Sequence, residues 1–228
     1  MASVVVMAKA AIPGRVKTRL IGPLTAEQAA AVQGAMLHCV LHRVGESFSH
    51  DARTDLVLAM DAVNPQGPGL PQIDSSWLVI DQGQGDLGDR LLSVWQRLRP
   101  GPVIFLGVDS PDMPVSVLES ILPALDTADA ALGPVPDGGY WTLASCRPQP
   151  LLVQAIDWGG DTVYHQTHAA ARRAGVDLVD LDPWFDVDTF EDLAALRGRL
   201  SDLVGLVGDA ALVRLAAQLD QICGKLKP

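Results

Sequence analysis

Short apolar runs alternate with longer amphipathic segments along most of this chain. The continuous apolar run at residues 103–106 is typical of a central parallel strand that is buried on both faces. We predict strands at residues 3–8, 55–60, 77–80, 103–106, 130–134, 141–144 and 176–181. Helical spacing and helix-start signals predict helices at about residues 25–47, 87–98, 115–125, 162–174, 189–200 and 209–226. Residues 64–72 are rich in Pro and Gly and are predicted to form a loop.

The alternation of strands with helices predicts an α/β fold, with a largely parallel sheet that helices cover on both faces. We assign residues 1–200 to one domain and expect residues 201–228 to form a helical extension that packs on it. The strongest turn signals, at residues 13–14, 85–86, 109–114 and 137–140, all follow predicted strands. Because ligands of open α/β sheets bind at the edge where the parallel strands end, we expect these turns to build one site.

The segment after the first predicted strand is basic, although the chain as a whole is acidic. There are 17 Lys and Arg against 27 Asp and Glu, for a formal net charge of −10. Four of the basic residues, Lys9, Arg15, Lys17 and Arg19, surround a Pro-Gly turn. Lys and Arg hold phosphate oxygens, so we interpret this basic loop as a site for a phosphate or diphosphate. A solvated helix start is the alternative, and the P-loop and dinucleotide-binding motifs are missing.

The charge, hydrophobicity and cysteine content limit the kinds of partner and the cellular compartment that we expect. A pI near 4.7 argues against duplex nucleic acid or an anionic membrane as the main partner. No apolar run approaches the roughly 18 residues of a membrane-spanning helix. The three cysteines are far apart and form no C-x-x-C, so we expect small buried side chains in a reducing compartment. Together these features predict a cytoplasmic protein.

Three acidic segments offer carboxylates at the same predicted edge. Asp109 follows the most apolar strand and is either a ligand for Mg²⁺ or Mn²⁺ or a cap of the following turn. Asp186 and Asp188 alternate in an extended segment and can present two carboxylates on one side, although Asp188 is also a candidate helix N-cap. Asp137 precedes two glycines and either faces a ligand or belongs to a tight turn.

A further turn, at residues 85–90, places Asp86 and Arg90 near the start of a predicted helix. The N-terminus of a helix carries free N–H groups and a positive dipole, which favour a phosphate. We therefore group Asp86 and Arg90 with the nucleotide-binding residues, while Asp86 is also a candidate N-cap.

Five ordered motifs resemble a bacterial family of glycosyltransferase-A-like proteins. The family is often labelled as arsenosugar-biosynthesis glycosyltransferases and was long carried as a domain of unassigned function. The motifs are M-A-K-x-P-x-P-G-x-V-K-T-R-L, G-D-L-G-x-R-L, G-x-D-S-P-x-L-P, G-P-x-x-D-G-G-Y and D-V-D-T-x-x-D-L, and they correspond to residues 7–20, 85–91, 107–114, 133–140 and 186–193. The resemblance spans about residues 3–197. Ala11 stands where the family usually has Pro, and residues 140–142 and 158–162 also depart from the usual pattern.

The resemblance implies a nucleotide-diphospho-sugar transferase fold, which is a three-layer α/β/α arrangement with a mostly parallel mixed sheet. It also implies a metal-dependent glycosyltransferase that uses a nucleotide-activated sugar, a small-molecule acceptor and Mg²⁺ or Mn²⁺. In this interpretation Asp109 and Asp188 bind the metal, and Asp137 orients or deprotonates an acceptor hydroxyl. The predicted nucleotide-binding residues are Lys9, Arg15, Lys17, Arg19, Asp86 and Arg90.

Two other functions stay open at this point. The first is a nucleotidyltransferase that joins an NTP to a phosphorylated small molecule, although such relatives typically carry a Gly-Gly loop where this chain has Ala-Lys-Ala at residues 8–10. The second is a non-catalytic nucleotide-binding or assembly protein. The final predicted helix is a candidate surface for a homodimer.

Overall fold

The computed structural model describes residues 1–49, 54–61, 73, 75–203 and 208–224. Its strands are β1 (Ala2–Ala8), β2 (Thr54–Met60), β3 (Trp77–Asp81), β4 (Val103–Leu106), β5 (Ala130–Pro134), β6 (Tyr140–Ser145) and β7 (Leu178–Asp180). They form one sheet in the order β3-β2-β1-β4-β6-β5-β7. All neighbouring pairs are parallel except those of β6, which runs antiparallel to β4 and β5. The predicted α/β fold with a mostly parallel mixed sheet is confirmed.

Helices cover both faces of the sheet. They are α1 (Ala26–Phe48), α2 (Leu87–Trp95), α3 (Val115–Glu119), α4 (Ile121–Leu125), α5 (Val163–Ala174), α6 (Phe190–Leu203) and α7 (Ala210–Cys223). Val4 and Val6 of β1 point into a core that also contains buried side chains of α1, α3, α4, α6 and α7. Val5 points to the opposite face, into a second core with α2 and α5. This opposite orientation of successive side chains is the period of a strand, and it produces the three layers.

The long helix α1 begins where the sequence predicts. The Thr25 hydroxyl accepts a hydrogen bond from the Gln28 backbone N–H at 3.2 Å, and the Gln28 side chain accepts one from the Thr25 N–H at 2.9 Å. This reciprocal capping box satisfies two N–H groups that a helix start otherwise leaves unpaired. After this cap, α1 carries the apolar side chains that pack on β1 and β2.

The structure differs from the predicted elements at several places. The single helix predicted at residues 115–125 is two helices that meet at Ser120. Pro123 explains the break, because proline has no N–H and its ring conflicts with the carbonyl four residues earlier. The last strand is shorter than predicted, and the loop predicted at residues 64–72 lies outside the described residues. In the described ranges, no helix combines the length and the apolar character needed to cross a bilayer.

Candidate active site

A cleft lies where β1 and β4 end, at the point where the strand order reverses. From β1 the chain continues to β2 and β3 on one side of the sheet and then crosses to β4 on the other. Such reversals are where open α/β sheets bind ligands. The cleft has a volume of about 620 Å³. Its lining includes Lys9, Arg15, Lys17, Arg19, Asp86, Arg90, Asp109 and Asp188, which are all the predicted site residues except Asp137.

The basic loop is held on the sheet by its backbone and by its apolar residues. The Ala10 N–H donates to Asp61, which follows β2, at 2.8 Å. Val16 and Leu20 are buried, and Gly14 has the positive φ of 75° that this turn requires. Because these contacts anchor the loop, the exposed residues Lys9, Arg15 and Arg19 line the cleft. Arg19 Nη1 also donates to Asp188 Oδ2 at 3.3 Å, so the loop presents its positive charge to an entering anion mainly through Lys9 and Arg15.

Lys17 differs from the other basic residues of the loop because its side chain turns inward. The backbone of Lys17 is left-handed, with φ 46°. The ammonium group donates to Asp109 Oδ1 and to the Val187 carbonyl, both at 2.5 Å, and to Asp188 Oδ1 at 3.3 Å. These three acceptors match the three donors of an ammonium group. In this arrangement Lys17 neutralises carboxylates, and its predicted role in nucleotide binding stays a prediction.

The surroundings of Lys17 change its protonation equilibrium. Its side chain is only 5% exposed, whereas those of Asp109 and Asp188 are 45% and 37% exposed. Burial by itself would lower the pKa of Lys17, but the carboxylates of Asp109 and Asp188 outweigh it and the pKa is raised. Lys17 is therefore a fixed positive charge between two anionic groups at neutral pH.

Three carboxylates converge beside this ion pair. Asp137, Asp186 and Asp188 each place one oxygen within 4.8 Å of the others. Burial, and next the negative charge of Asp137, raise the pKa of Asp186 to about 6, and Asp188 and Asp109 add to the effect. This triad is therefore a group of carboxylates of the kind that can hold a metal ion. The sequence analysis assigned no role to Asp186, although its alternation with Asp188 was the signal that could have identified it.

Backbone and buried polar contacts connect the segments that carry these aspartates. The Val187 N–H donates to the Asp109 carbonyl at 2.9 Å, so the two segments are hydrogen-bonded directly. The fully buried Asp112 carboxylate accepts from Arg199 Nε at 2.5 Å and from Trp184 Nε1 at 3.2 Å. Asp112 therefore stabilises the loop that follows β4 against the segment that precedes Asp186.

Asp137 is located by a turn whose geometry depends on Gly138. The Asp137 carboxylate accepts from the Gly139 N–H at 2.9 Å, and the Gly138 carbonyl accepts from the Tyr164 N–H at 2.8 Å. Gly138 has φ 91°, and a Cβ atom there would come within 1.8 Å of the Asp161 carbonyl oxygen. Only glycine fits this position, so the sequence Asp-Gly-Gly brings Asp137 to the triad.

The other end of the cleft, beyond β1, is formed by residues that follow β3. Asp86 caps α2, because its side chain accepts from the Asp89 N–H at 2.9 Å, as its position in the sequence predicts. Arg90 donates from Nε to the Gly85 carbonyl at 3.1 Å. Gln82 is buried and lines the same end. Gln82 carries no motif signal, and sequence analysis did not identify it.

Comparison with known families identifies the group to which the chain belongs. A family model described as "Uncharacterized protein conserved in bacteria (DUF2064)" matches residues 45–160. The chain belongs to this family. The DUF2064 match contains Asp86, Arg90, Asp109 and Asp137, whereas the basic loop and Asp188 lie outside it. No curated protein matches the sequence of this DUF2064 member.

Solved structures place this DUF2064 protein among transferase folds. It is 27% identical to a protein of Desulfovibrio desulfuricans G20 that is provisionally described as a nucleotide-diphospho-sugar transferase, with a TM-score of 0.77 over 97% of each chain. A cytidylyltransferase of Leptospira borgpetersenii is 13% identical, with a TM-score of 0.53 over 100% of this chain and 98% of that one. The 4-diphosphocytidyl-2C-methyl-D-erythritol synthase of Anaerococcus prevotii is 11% identical, with a TM-score of 0.52 over 84% of this chain and 94% of its own. The latter two show the shared fold alone.

Proposed function

We propose that this protein is a metal-dependent glycosyltransferase-type enzyme that binds a nucleotide-activated sugar in the cleft. The observation that carries the proposal is a cleft at the topological switch point whose lining combines the cationic loop with Asp109 and Asp188, the latter a member of the aspartate cluster. The diphosphate of an activated nucleotide needs both features, because its oxygens bind cationic side chains directly and bind aspartates through a metal ion. The likeness to the Desulfovibrio protein supports a nucleotide-utilising transferase.

In this proposal the nucleotide phosphates lie against the cationic side of the cleft. Lys9, Arg15 and Arg19 extend from the basic loop into the cleft. Arg can grip two phosphate oxygens with its planar fork, while Lys acts as a point charge. Arg90, the other predicted cationic residue for nucleotide binding, lines the far end of the cleft on α2, the helix that Asp86 caps.

The aspartate cluster fits a divalent cation of the Mg²⁺ or Mn²⁺ type. Its donors are all carboxylate oxygens, which are the ligands that hard cations prefer. Asp186 and Asp188 would hold the ion, and Lys17 connects Asp188 with Asp109, the other predicted ligand. A bound ion would stabilise the negative charge that develops on the leaving diphosphate.

The transfer itself replaces one carbon–oxygen bond by another. The acceptor hydroxyl oxygen bonds to the anomeric carbon, the bond from that carbon to the phosphate oxygen breaks, and the nucleoside diphosphate leaves with the electron pair. The hydroxyl proton needs an acceptor, and Asp137 is the exposed member of the aspartate cluster that a group entering from solvent can reach. Lys17 holds Asp109 and Asp188 in place during this step.

Titration calorimetry with nucleoside diphosphates and diphospho-sugars tests the proposal. We expect binding that requires Mn²⁺ or Mg²⁺ and is lost by at least tenfold in Asp188→Asn. Asp182→Asn is the matched control, because it makes the same charge change in an exposed residue of the same segment outside the cleft lining. Absence of binding for every nucleotide, or equal binding by both variants, would refute the proposed site.

One observation favours nucleotidyl transfer as the second candidate. The basic loop brings three cationic residues besides Lys17 to the cleft, Lys9, Arg15 and Arg19, and these can accommodate the larger charge of a triphosphate. In that reaction the acceptor phosphate attacks the α-phosphorus of an NTP, and pyrophosphate leaves. Release of pyrophosphate from an NTP and a phosphorylated metabolite, without turnover of intact diphospho-sugars, would establish this reaction in place of glycosyl transfer.

A further inference from the structure

The side chain of Gln82 has one orientation that its buried partners permit. Its amide nitrogen donates to the Ala59 carbonyl at 2.8 Å and to the Ala8 carbonyl at 3.0 Å, and the residue is 3% exposed. The reversed amide would place its oxygen against two carbonyl oxygens, which repel it. Both N–H groups of the amide are therefore used inside the sheet edge. The carbonyl oxygen of Gln82 is the polar atom left for a ligand, and it can only accept.

A fork of donors lies next to this acceptor. Arg90 Nη1 is 3.5 Å from Gln82 Oε1, and Arg90 Nε is bound to the Gly85 carbonyl. Within the described part of the chain, the terminal nitrogens of Arg90 have no other hydrogen-bond partner. The protein therefore presents the Gln82 oxygen as an acceptor and, beside it, the Arg90 N–H groups as donors. The buried amide nitrogen fixes the acceptor, and the bond to Gly85 orients the donors.

This pair lies at the end of the cleft that is farther from the aspartates. The Gln82 amide bonds to the Ala8 and Ala59 carbonyls at the ends of β1 and β2, whereas Asp109 follows β4, on the other side of β1. If the diphosphate lies between the basic loop and the aspartate cluster, the nucleoside extends along the strand ends toward Gln82. The neutral amide and the single guanidinium group then face the base and not the phosphates.

We propose that Gln82 and Arg90 select the nucleobase, and that they favour cytosine or guanine over uracil and adenine. An acceptor beside a donor fork complements a base edge with one N–H donor followed by two acceptors. Cytosine offers N4–H, N3 and O2 in that order, and guanine offers N1–H, O6 and N7. Uracil and adenine place their donor between two acceptors, so one of these acceptors loses its partner. The inference rests on the proposed nucleotide site and adds its base preference.

Calorimetry with CDP, GDP, UDP and ADP in the presence of Mn²⁺ tests the selection. We expect CDP or GDP to bind at least about tenfold more tightly than UDP and ADP, as one well-formed base contact provides. Arg90→Met should bring the four dissociation constants to within about threefold of one another. Lys9→Met is the matched control, because it removes a cation from the phosphate side and should weaken all four nucleotides in the same ratio.

The outcomes separate the two proposals. Equal affinities in the wild-type protein, a preference for UDP or ADP, or a preference that survives Arg90→Met would overturn the base selection and leave the nucleotide site standing. Failure of all four nucleotides to bind would overturn both. Gln82→Leu gives an independent check, provided that its thermal unfolding is cooperative, and it should lose the preference in the same way as Arg90→Met.

Discussion

Replacement of Lys17 by methionine tests how much its ion pairs with Asp109 and Asp188 stabilise the protein. Methionine keeps an unbranched apolar stem but removes the ammonium group. The variant loses the hydrogen bonds to Asp109 and to the Val187 carbonyl, both at 2.5 Å, and the longer one to Asp188 at 3.3 Å. No water replaces these contacts easily, because the Lys17 side chain is only 5% exposed.

The magnitude follows from how exposed the remaining partners are. Removing one member of a fully buried ion pair costs about 3–5 kcal/mol. Here the carboxylates left behind are 45% and 37% exposed, so water recovers part of the loss. We therefore expect the free energy of unfolding to fall by about 2 kcal/mol at neutral pH. In the variant Asp109 loses its ion pair with Lys17, while Asp188 keeps its ion pair with Arg19 at 3.3 Å. The net loss of one positive charge should raise the affinity of the two aspartates for a divalent ion.

Urea unfolding, followed by tryptophan fluorescence with and without Mn²⁺, measures both effects. Mn²⁺ should stabilise Lys17→Met more than the wild-type protein, because the ammonium no longer competes for Asp109 and Asp188. Lys9→Met is the control, since Lys9 is exposed and forms no ion pair in the described ranges, and its effect should stay within about 0.5 kcal/mol. Unchanged stability of Lys17→Met, or equal stabilisation of both proteins by Mn²⁺, would refute the reasoning.

Three further predictions concern stability and reactivity. Burial would raise the pKa of Asp209, but the hydrogen bond from Arg43 at 2.8 Å outweighs burial, and the pKa of Asp209 is lowered in the folded protein. The Asp209 carboxylate therefore stabilises the fold fully above its unfolded pKa of about 4, and this stabilisation is lost as pH falls toward the folded pKa. Asp209→Asn should therefore lose about 2–4 kcal/mol at pH 7, and chemical denaturation should show that difference shrinking in acid. Gly138→Ala forces a Cβ against Asp161 at φ 91° and should cost about 2 kcal/mol or more in thermal unfolding and weaken Mn²⁺ binding; an unaltered midpoint contradicts this. Burial raises the pKa of Cys39 to about 12, so iodoacetamide at pH 8 should label it only after unfolding, as peptide mass analysis would show.

The parts of the fold that sequence analysis predicted correctly are those with local signals. The helix α1 begins at its predicted start, and Asp86 caps α2, which was one of its two predicted roles, because such signals depend on residues three positions apart. The buried strand at residues 103–106 was also recognisable from its own composition. The split of the helix at Ser120 was missed, although Pro123 was its local cause.

The site was predictable as a location but not as a set of contacts. Strand ends and motif order brought eight predicted residues to one cleft. The direction of Lys17 was not predictable, since it depends on partners 92 and 171 positions away in the chain. Gln82 was missed for the same reason, because its partners are carbonyls on other strands. Asp186 was noted for its alternation with Asp188 but was not assigned to the metal site, since its proximity to Asp137 comes from the fold.

The backbone hydrogen bond from Val187 to Asp109 joins a late segment of the chain to the loop after β4, and this order has a consequence for biosynthesis. The proposed cation site needs Asp186 and Asp188, which the ribosome adds only after the basic loop and every described strand of the sheet. A nascent chain that ends before these residues leaves Lys17 with one carboxylate partner, Asp109, in place of two. In the proposed site, metal affinity would therefore arise late in synthesis, and a truncated product would bind the ion less tightly than the finished protein.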